Sequence, residues 1–476
     1  PESLDDLTVQ VAIVRPGPIQ GGAVHPYLDA REKLRADPDY EVPYAHPALE
    51  PVLGDTLGAI VFQEQVLQVA MALAGFSAGE AEGLRRAMSR KRSEAALRAH
   101  QDRFLAGAIE RGVEPEVAER VFEQVVGFSG FGFPKAHAAA FGLLAYQSTW
   151  LRVHYGPEFL CSLLNEQPMG FYPPDALVHE AQRRGIEVLG VDVNESGVDC
   201  MTEDGGVRIG LGYVNGIREE EMRLLAAERE RGGPYGDVGE LASRSGVSAD
   251  ALEKLAWAGA CDLLEPGGRR AALWRLGITA GALPGSPRAG KRSDQLALPL
   301  AIPAAPRLRE LGGWDRLVAD YASTGMTLGE HPMGLLRPSL GEEVATSADL
   351  ARLPDRSRIR TAGLVVARQR PATAKGILFM LLEDEHGTIN LIIPPAVYTR
   401  HRMVARTGPL LSVRGRLEHR GANINVVVES LERLHRPDMP DAEVRSIEPD
   451  VRRETGRDGG DLEATLPAVH SFGRRG

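Results

Sequence analysis

Apolar positions recur at helical spacing over most of the first 165 residues, and from residue 358 onward they switch to strict alternation. One early stretch stands apart. Residues 8–14, TVQVAIV, form an apolar run and read as a buried strand, stopped by Arg15-Pro16-Gly17-Pro18 because proline cannot donate to a sheet ladder. Residues 56–75 carry a helical stripe that ends at Gly75. Ser77 then opens a new helix with Glu80 three residues on, the pattern of a capping box, and this helix continues through Leu84, Arg85, Arg86 and Met88. Further helices fit 93–111, 115–127 with Pro115 at the start, 136–154 stopped by Gly156-Pro157, and 158–165. Residues 186–191 and 207–211 read as short strands, and two helix-turn-helix units fit 212–229 and 237–263.

Residues 279–308 are rich in Pro, Ala and Gly and read as a linker. Period-2 runs follow at 358–366, 377–383, 388–393, 410–417 and 423–428, with Asp384-Glu385-His386-Gly387 turning between the second and third. Five strands, a longer insertion before the fourth and a closing hairpin suit a Greek-key β-barrel of the OB type. The expected class is multidomain: a mainly α-helical region over 1–177, a tandem helix-hairpin-helix region over 178–278, a linker over 279–330, an OB-fold barrel over 331–435 and a polar, mobile tail over 436–476.

Composition narrows the function classes. No uncharged apolar run is long enough to span a bilayer, and Pro1-Glu2-Ser3-Leu4 has neither the basic nor the apolar segment of a signal peptide. A start without Met is expected of a piece of a longer chain. Cys161, Cys200 and Cys261 lie far apart with no CxxC pair, so no metal site is expected, and the sparse count fits a reducing cytoplasm. The net charge of −10 argues against general attraction to polyanions, but the charge is uneven. Residues 85–92 hold five basic side chains and no acid, and residues 356–433 hold 13 Lys and Arg against six Asp and Glu. Such local patches can hold a polyanion while the acidic remainder discourages indiscriminate contact.

Five segments could carry chemistry. In LRRAMSRKR, Arg85, Arg86, Arg90, Lys91 and Arg92 crowd one helix; they are either a solvated face or a cradle for a triphosphate or DNA backbone, since arginine grips phosphate bidentately. In GFSGFGFPKAH, Lys135 and His137 stand at a helix N-terminus, an anion-favouring place, after a Gly/Phe turn that could equally be a packed corner. Gly212, Gly216 and Arg218 bracket one hairpin and Gly246 opens another; paired hairpins can present backbone N–H groups to DNA phosphates without reading sequence. Gln295, Leu296, Leu298 and Leu300, in QLALPL, could dock in an apolar pocket on a partner or be a chance apolar run. In the barrel, Arg368, Arg370, Lys375, Arg414, Arg416 and Arg420, with Phe379 and Tyr398, could hold a single strand by charge and stacking.

Several long segments, in order, resemble the alpha subunit of bacterial DNA polymerase III: RPGPIQGG, VFQEQVLQVA, LRRAMSRKR, GFSGFGFPKAHAAAFGLLAYQSTWL and WLRVHYGPEFLCSLLN. The resemblance covers about residues 5–435. Asn165 to Tyr172, Arg368-Gln369-Arg370-Pro371 and the short tail are closer to the error-prone branch of this C-family than to its replicative branch. The resemblance implies the fingers, duplex-binding and OB portion of a DNA-directed DNA polymerase used in damage-induced mutagenesis and lesion bypass. Its substrates would be primed-template DNA and deoxynucleoside triphosphates, and its partners a sliding clamp, bound by the hexapeptide, and an accessory Y-family-like protein.

Arg85, Arg86, Lys91, Lys135 and His137 would face the incoming nucleotide. Arg90, Arg92, the hairpin residues and the barrel basics would face DNA. The family's catalytic aspartates, which hold Mg²⁺, lie in a palm that precedes RPGP, so no catalytic residue is expected here and this chain alone should not polymerise. Pro134 and Phe141 stand where the replicative branch usually has Asn and Tyr. The same portion of a replicative subunit, or a DNA-binding protein that lacks a palm, are the alternatives.

Overall fold

The computed structural model describes residues 1–14, 24–89, 94–127, 133–170, 172–281, 306–371, 374–420, 423–435 and 470–472, in two compact units, Pro1–His154 and Tyr155–Gly476.

In the first unit the apolar run expected as a strand is a helix, α1 (Leu4–Ile13). Ser3 caps it, its hydroxyl accepting the Asp6 N–H at 3.1 Å, and Thr8, Val9, Ala12 and Ile13 form a buried helical stripe. A cap and a stripe with something to pack against outweigh the modest strand preference of β-branched residues. The surface it meets is α7 (Lys135–His154), and contact is close at Gly142, where an added Cβ would lie 3.3 Å from the Thr8 amide nitrogen.

Between them come α2 (Val24–Ala36), α3 (Gln63–Ala74), α4 (Ala78–Ser89), α5 (Glu94–Glu110) and α6 (Pro115–Gly127). Gly75 ends α3 in the left-handed conformation, φ 67°. The capping box before α4 is reciprocal: Ser77 N and Oγ donate to Glu80 at 2.7 and 2.8 Å, and Glu80 N donates back to Ser77 Oγ at 3.3 Å. Helices α3–α6 enclose one core centred on Phe104, with Leu73, Leu84, Val121 and Phe122. At Gly107 the backbone of α5 comes so near the end of α3 that a Cβ would stand 2.1 Å from the Ala74 carbonyl oxygen. Gly107→Ala is therefore expected to cost about 1–3 kcal/mol through forced separation of the two helices, read as a lower thermal midpoint. An unchanged midpoint would show that the α3 terminus yields freely.

The second unit begins with α8 (Gly156–Asn165) and α9 (Pro174–Arg183). A small sheet of β1 (Val188–Leu189), β2 (Met201–Glu203) and β3 (Gly206–Arg208), ordered β1-β3-β2, supports the hairpin helices α10 (Glu219–Gly232), α11 (Val238–Arg244) and α12 (Ala249–Trp257). Helix α13 (Gly268–Gly281) closes this layer. Of the expected linker, residues 282–305 lie outside the described residues; within its remainder α14 (Gly313–Thr324) forms, and together with α15 (Pro332–Leu336) it packs Leu317, Tyr321, Met333 and Leu336 onto the barrel wall at Ala362, Leu364 and Leu410.

The barrel takes the order β5 (Arg358–Gln369), β6 (Leu378–Glu383), β7 (Thr388–Ile393), β9 (Asn423–Arg433), β8 (Leu410–Arg420), and β5–β8 pairing closes it. Short β4 (Val344–Ala345) lies along the start of β5, and helices α16 (Pro395–Arg400) and α17 (Arg402–Thr407) fill the insertion before β8. The interior is the alternate set expected from the pattern, including Val365, Leu382, Ile389, Leu391, Val413, Leu417 and Val426. Of the expected tail only β10 (His470–Phe472), parallel to Ala367–Gln369, is among the described residues.

Candidate nucleotide and nucleic-acid interface

In the first unit the start of α3 gathers side chains that are far apart in sequence. Gln63 N donates to the Phe133 carbonyl at 3.1 Å, and Glu64 accepts the Lys135 N–H at 3.0 Å, which caps α7. The Lys135 ammonium reaches Asp55 at 2.7 Å and lies 5.9 Å over the Phe62 ring. Arg85 approaches from α4; the Gln63 side-chain oxygen accepts from its Nη1 at 2.7 Å once that amide is oriented to suit both groups. His137 sits edge-on between Phe133 and Phe141, ring centroids 4.9 and 4.6 Å away. Arg85, Lys135 and His137 thus belong to neighbouring elements, while Arg90, Lys91 and Arg92 lie outside the described residues.

The adjacent arginines already share an anion. Glu82, one turn earlier, accepts from Arg85 Nε and Nη2 at 2.7 and 2.6 Å and from Arg86 Nε at 2.9 Å. Those hydrogen bonds hold the half-buried Glu82 carboxyl at about 2, far below the usual carboxylate range. The sequence signal was the spacing of an acid three and four positions before two bases. A phosphate reaching Arg85 and Arg86 has to replace a carboxylate, as one reaching Lys135 has to displace Asp55.

In the second unit the two hairpins are locked to each other. Gly216 takes a φ of 77°, and its carbonyl accepts from Lys254 of α12 at 2.8 Å. Glu221 of α10 accepts the Ser248 N–H at 3.0 Å, and Ser248 Oγ caps α12 by accepting from Ala251 N. The Gly212 N–H is spent internally on the Val198 carbonyl at 2.8 Å, so it is not a donor that a phosphate could use. Arg218 stands at the N-cap position of α10 without a side-chain cap and pairs with Glu221 at 3.3 Å. Glu219, Glu220 and Glu221 fill the first turn of α10, where a phosphate would otherwise be drawn. Gly246 turns the second hairpin with a φ of 72°.

Arg368 departs from the expected surface. It is buried, with 7% exposure, and donates Nε to Ala405 O at 2.8 Å and Nη2 to Gly408 O, closing the end of α17. Burial pulls its pKa to about 10. Arg370 instead stacks 4.6 Å over Tyr398 beside Gly376, and Lys375 and Phe379 are exposed on the same lip of the barrel. Gln295, Leu296, Leu298 and Leu300 lie outside the described residues.

Among the described residues, one group of side chains has metal-capable atoms within 4.8 Å of one another: His179, His331 and Glu383, in the second unit. It does not fit Mg²⁺, which needs carboxylates and water in an open octahedral site. His331 Nδ1 accepts the Met333 N–H at 3.1 Å, which places its proton on Nε2, and Arg183 occupies the Glu383 carboxylate. No step of metal chemistry is derived through these residues.

Comparison with known proteins identifies the parts. Residues 1–112 match the bacterial DNA polymerase III alpha subunit finger domain, and residues 185–273 match the helix-hairpin-helix motif. The chain is thus built from a polymerase finger domain, a helix-hairpin-helix motif and an OB-type barrel. Over nearly its whole length it is homologous to part of the error-prone DNA polymerases. It is 43% identical over 461 residues to the error-prone DNA polymerase of Anaeromyxobacter dehalogenans, a match that spans 94% of this chain and 39% of that protein. It is 45% identical to the Burkholderia pseudomallei protein of the same name, over 87% of this chain and 39% of that one, and 41% identical to that of Corynebacterium efficiens, over 91% and 39%. The chain spans about two-fifths of the length of the curated relatives it matches.

Proposed function

We propose that this chain supplies the fingers, the duplex-holding hairpins and the single-strand-contacting barrel of an error-prone DNA-directed DNA polymerase, working on primed templates in damage-induced mutagenesis and lesion bypass. The observation that carries the reading is the meeting of Arg85, Gln63 and Lys135 around the first turn of α3. Each cation there rests on an exchangeable carboxylate, Glu82 or Asp55. An incoming triphosphate replaces those carboxylates and draws α4 and α7 onto one anion. His137, clamped between two rings, shapes the edge of that pocket.

Mg²⁺ neutralises charge on the transferring phosphate when bound, and carboxylates elsewhere in the polymerase would hold it. The chain by itself is expected not to polymerise. Phe141, Leu144, Tyr146 and Trp150 stand exposed along α7, an apolar stretch that the rest of the polymerase would cover. No helix among the described residues is long and apolar enough to cross a membrane. The substrate proposed is DNA in the cytoplasm. A sliding clamp, bound through Gln295, Leu296, Leu298 and Leu300, and an accessory Y-family-like protein complete the proposed assembly.

In the intact polymerase, Arg85→Ala with Arg86→Ala is expected to raise the nucleotide KM about tenfold or more while binding of primed template is unchanged, since each charge-assisted hydrogen bond to the triphosphate is worth about 1.5–3 kcal/mol. Steady-state kinetics with one nucleotide varied reads this. An unaltered KM and rate would remove the arginines from the nucleotide site.

A further inference from the structure

The barrel carries a second basic surface, away from the lip formed by Arg370 and Tyr398. The β5–β8 register sets Arg358 opposite Arg416 and Arg360 opposite Arg414. Ile359, Val413 and Leu417 turn into the barrel core, so by alternation the four arginines share the outer wall. Directly opposed like charges weaken a strand pair. Two of the four have acidic company: Arg360 meets Glu343 at 3.0 Å and Ser412 at 3.3 Å, and Arg358 lies 3.8 Å from Glu429. Arg414 and Arg416 are exposed and, among the described residues, make no ion pair; Glu418 stands two positions further along the same strand. Side chains two residues apart leave one face of a strand about 6.8 Å apart, a spacing that successive phosphates of an extended nucleic-acid strand can match.

We infer that this arginine ladder is a phosphodiester-binding track. It rests on the nucleic-acid reading above and adds a site to it. Among the described residues the wall's other cross-strand neighbours, Val344, Val427, Asn425 and Ser430, include no aromatic ring. The wall therefore takes hold of the backbone and leaves the bases alone. The lip at the far end of β5 supplies the stacking, with Tyr398 and Phe379, about 30 Å away along the strand. A single strand that leaves the lip continues along the wall, where Arg414 and Arg416 neutralise two of its phosphates and relieve the crowding of like charges.

The test uses the whole chain and fluorescent oligothymidylate of about 30 nucleotides, with anisotropy followed across salt concentration. Arg414→Gln with Arg416→Gln should weaken binding about tenfold at low salt and reduce the slope of log affinity against log salt by roughly 1.4, two phosphates' worth for a single strand. Arg414→Lys with Arg416→Lys should retain most of the affinity, and the glutamine pair should melt no lower than the parent, because repulsion has been removed. Loss of binding confined to a duplex probe would overturn the single-strand track, and so would an unchanged slope or a lowered melting point in the glutamine pair. If the parent chain binds no oligonucleotide even at low salt, the nucleic-acid reading itself fails. If the parent binds and the glutamine pair is indistinguishable from it, the ladder alone fails.

Discussion

Glu383→Ala should destabilise the second unit by about 3–5 kcal/mol, the usual cost of leaving buried charges without their partner. Glu383 ends β6 almost fully buried, and its carboxylate is held by Arg183 of α9 and lies 3.5 Å from His179 Nδ1. His179 Nε2 is 3.5 Å from Asp175, which accepts from the Tyr321 hydroxyl at 2.9 Å and from Thr327 N at 3.2 Å. His331 packs against His179 with ring centroids 5.1 Å apart. Two carboxylates thus face one arginine and one histidine, and the account balances when His179 carries its proton. The group spans α9, the α14–α15 segment and the barrel, so its loss loosens helices and barrel together. Urea unfolding with parallel far-UV and fluorescence readouts measures the cost. A loss under about 1 kcal/mol would mean that water reaches Arg183 once the carboxylate is gone.

The same cluster sets a pH dependence. Burial lowers the His179 pKa, but Glu383 and Asp175 outweigh it and the net value is raised. Burial raises the Glu383 pKa, yet His179 and Arg183 overcome this and lower it. Burial raises Asp175 above its ordinary range, and burial holds His331 at about 4, so His331 stays neutral. Stability from protonated His179 is complete below its unfolded value of about 6.5 and is lost as pH rises through the higher folded value. Stability from ionised Glu383 is present above about 4.5 and is lost as pH falls through its lower folded value. Asp175 works the other way, easing the cost of its burial as it protonates. The second unit is expected to be most stable between about pH 4.5 and 6.5 and to weaken as pH rises beyond that window. His179→Gln should flatten the decline on the alkaline side.

Much of this fold was legible in the sequence because its signals are local. The Ser77–Glu80 box, the Gly75 stop, Pro115 at a helix start and the period-2 strands depend on neighbours a few residues away, and the structure has each of them. The failures share another cause. TVQVAIV has the composition of a strand, and the Ser3 cap together with the core that α7 and its neighbours place against it makes it a helix. Arg368 looks like a surface base until α17 brings two carbonyls to it. The His179–Glu383 group joins positions 204 residues apart, and no spacing rule reaches that far. At Arg85 and Arg86 the basic pair was readable, but its attachment to Glu82 required following one helix face backward by a single turn.

The fingers core offers the other large effect. Phe104→Ala is expected to cost about 3–5 kcal/mol, because it removes a fully buried ring from a close-packed centre and leaves a cavity that helices on several sides cannot fill without moving. Phe76 and Phe122 lie 6.0 and 5.3 Å from that ring, so each is left facing the cavity without its aromatic partner. Leu84 belongs to the same core and directly precedes Arg85, so slack at Phe104 passes to the helix that aims the arginines. Hydrogen exchange should rise in α3 to α6 of the first unit while the barrel strands of the second keep their protection. Phe104→Leu, which refills most of the volume, should recover more than half of the loss. In the intact polymerase the alanine variant should raise the nucleotide KM before primed-template binding changes. Uniform loss of protection in both units would instead show that the two unfold as one cooperative body, and that the effect on Arg85 is not local.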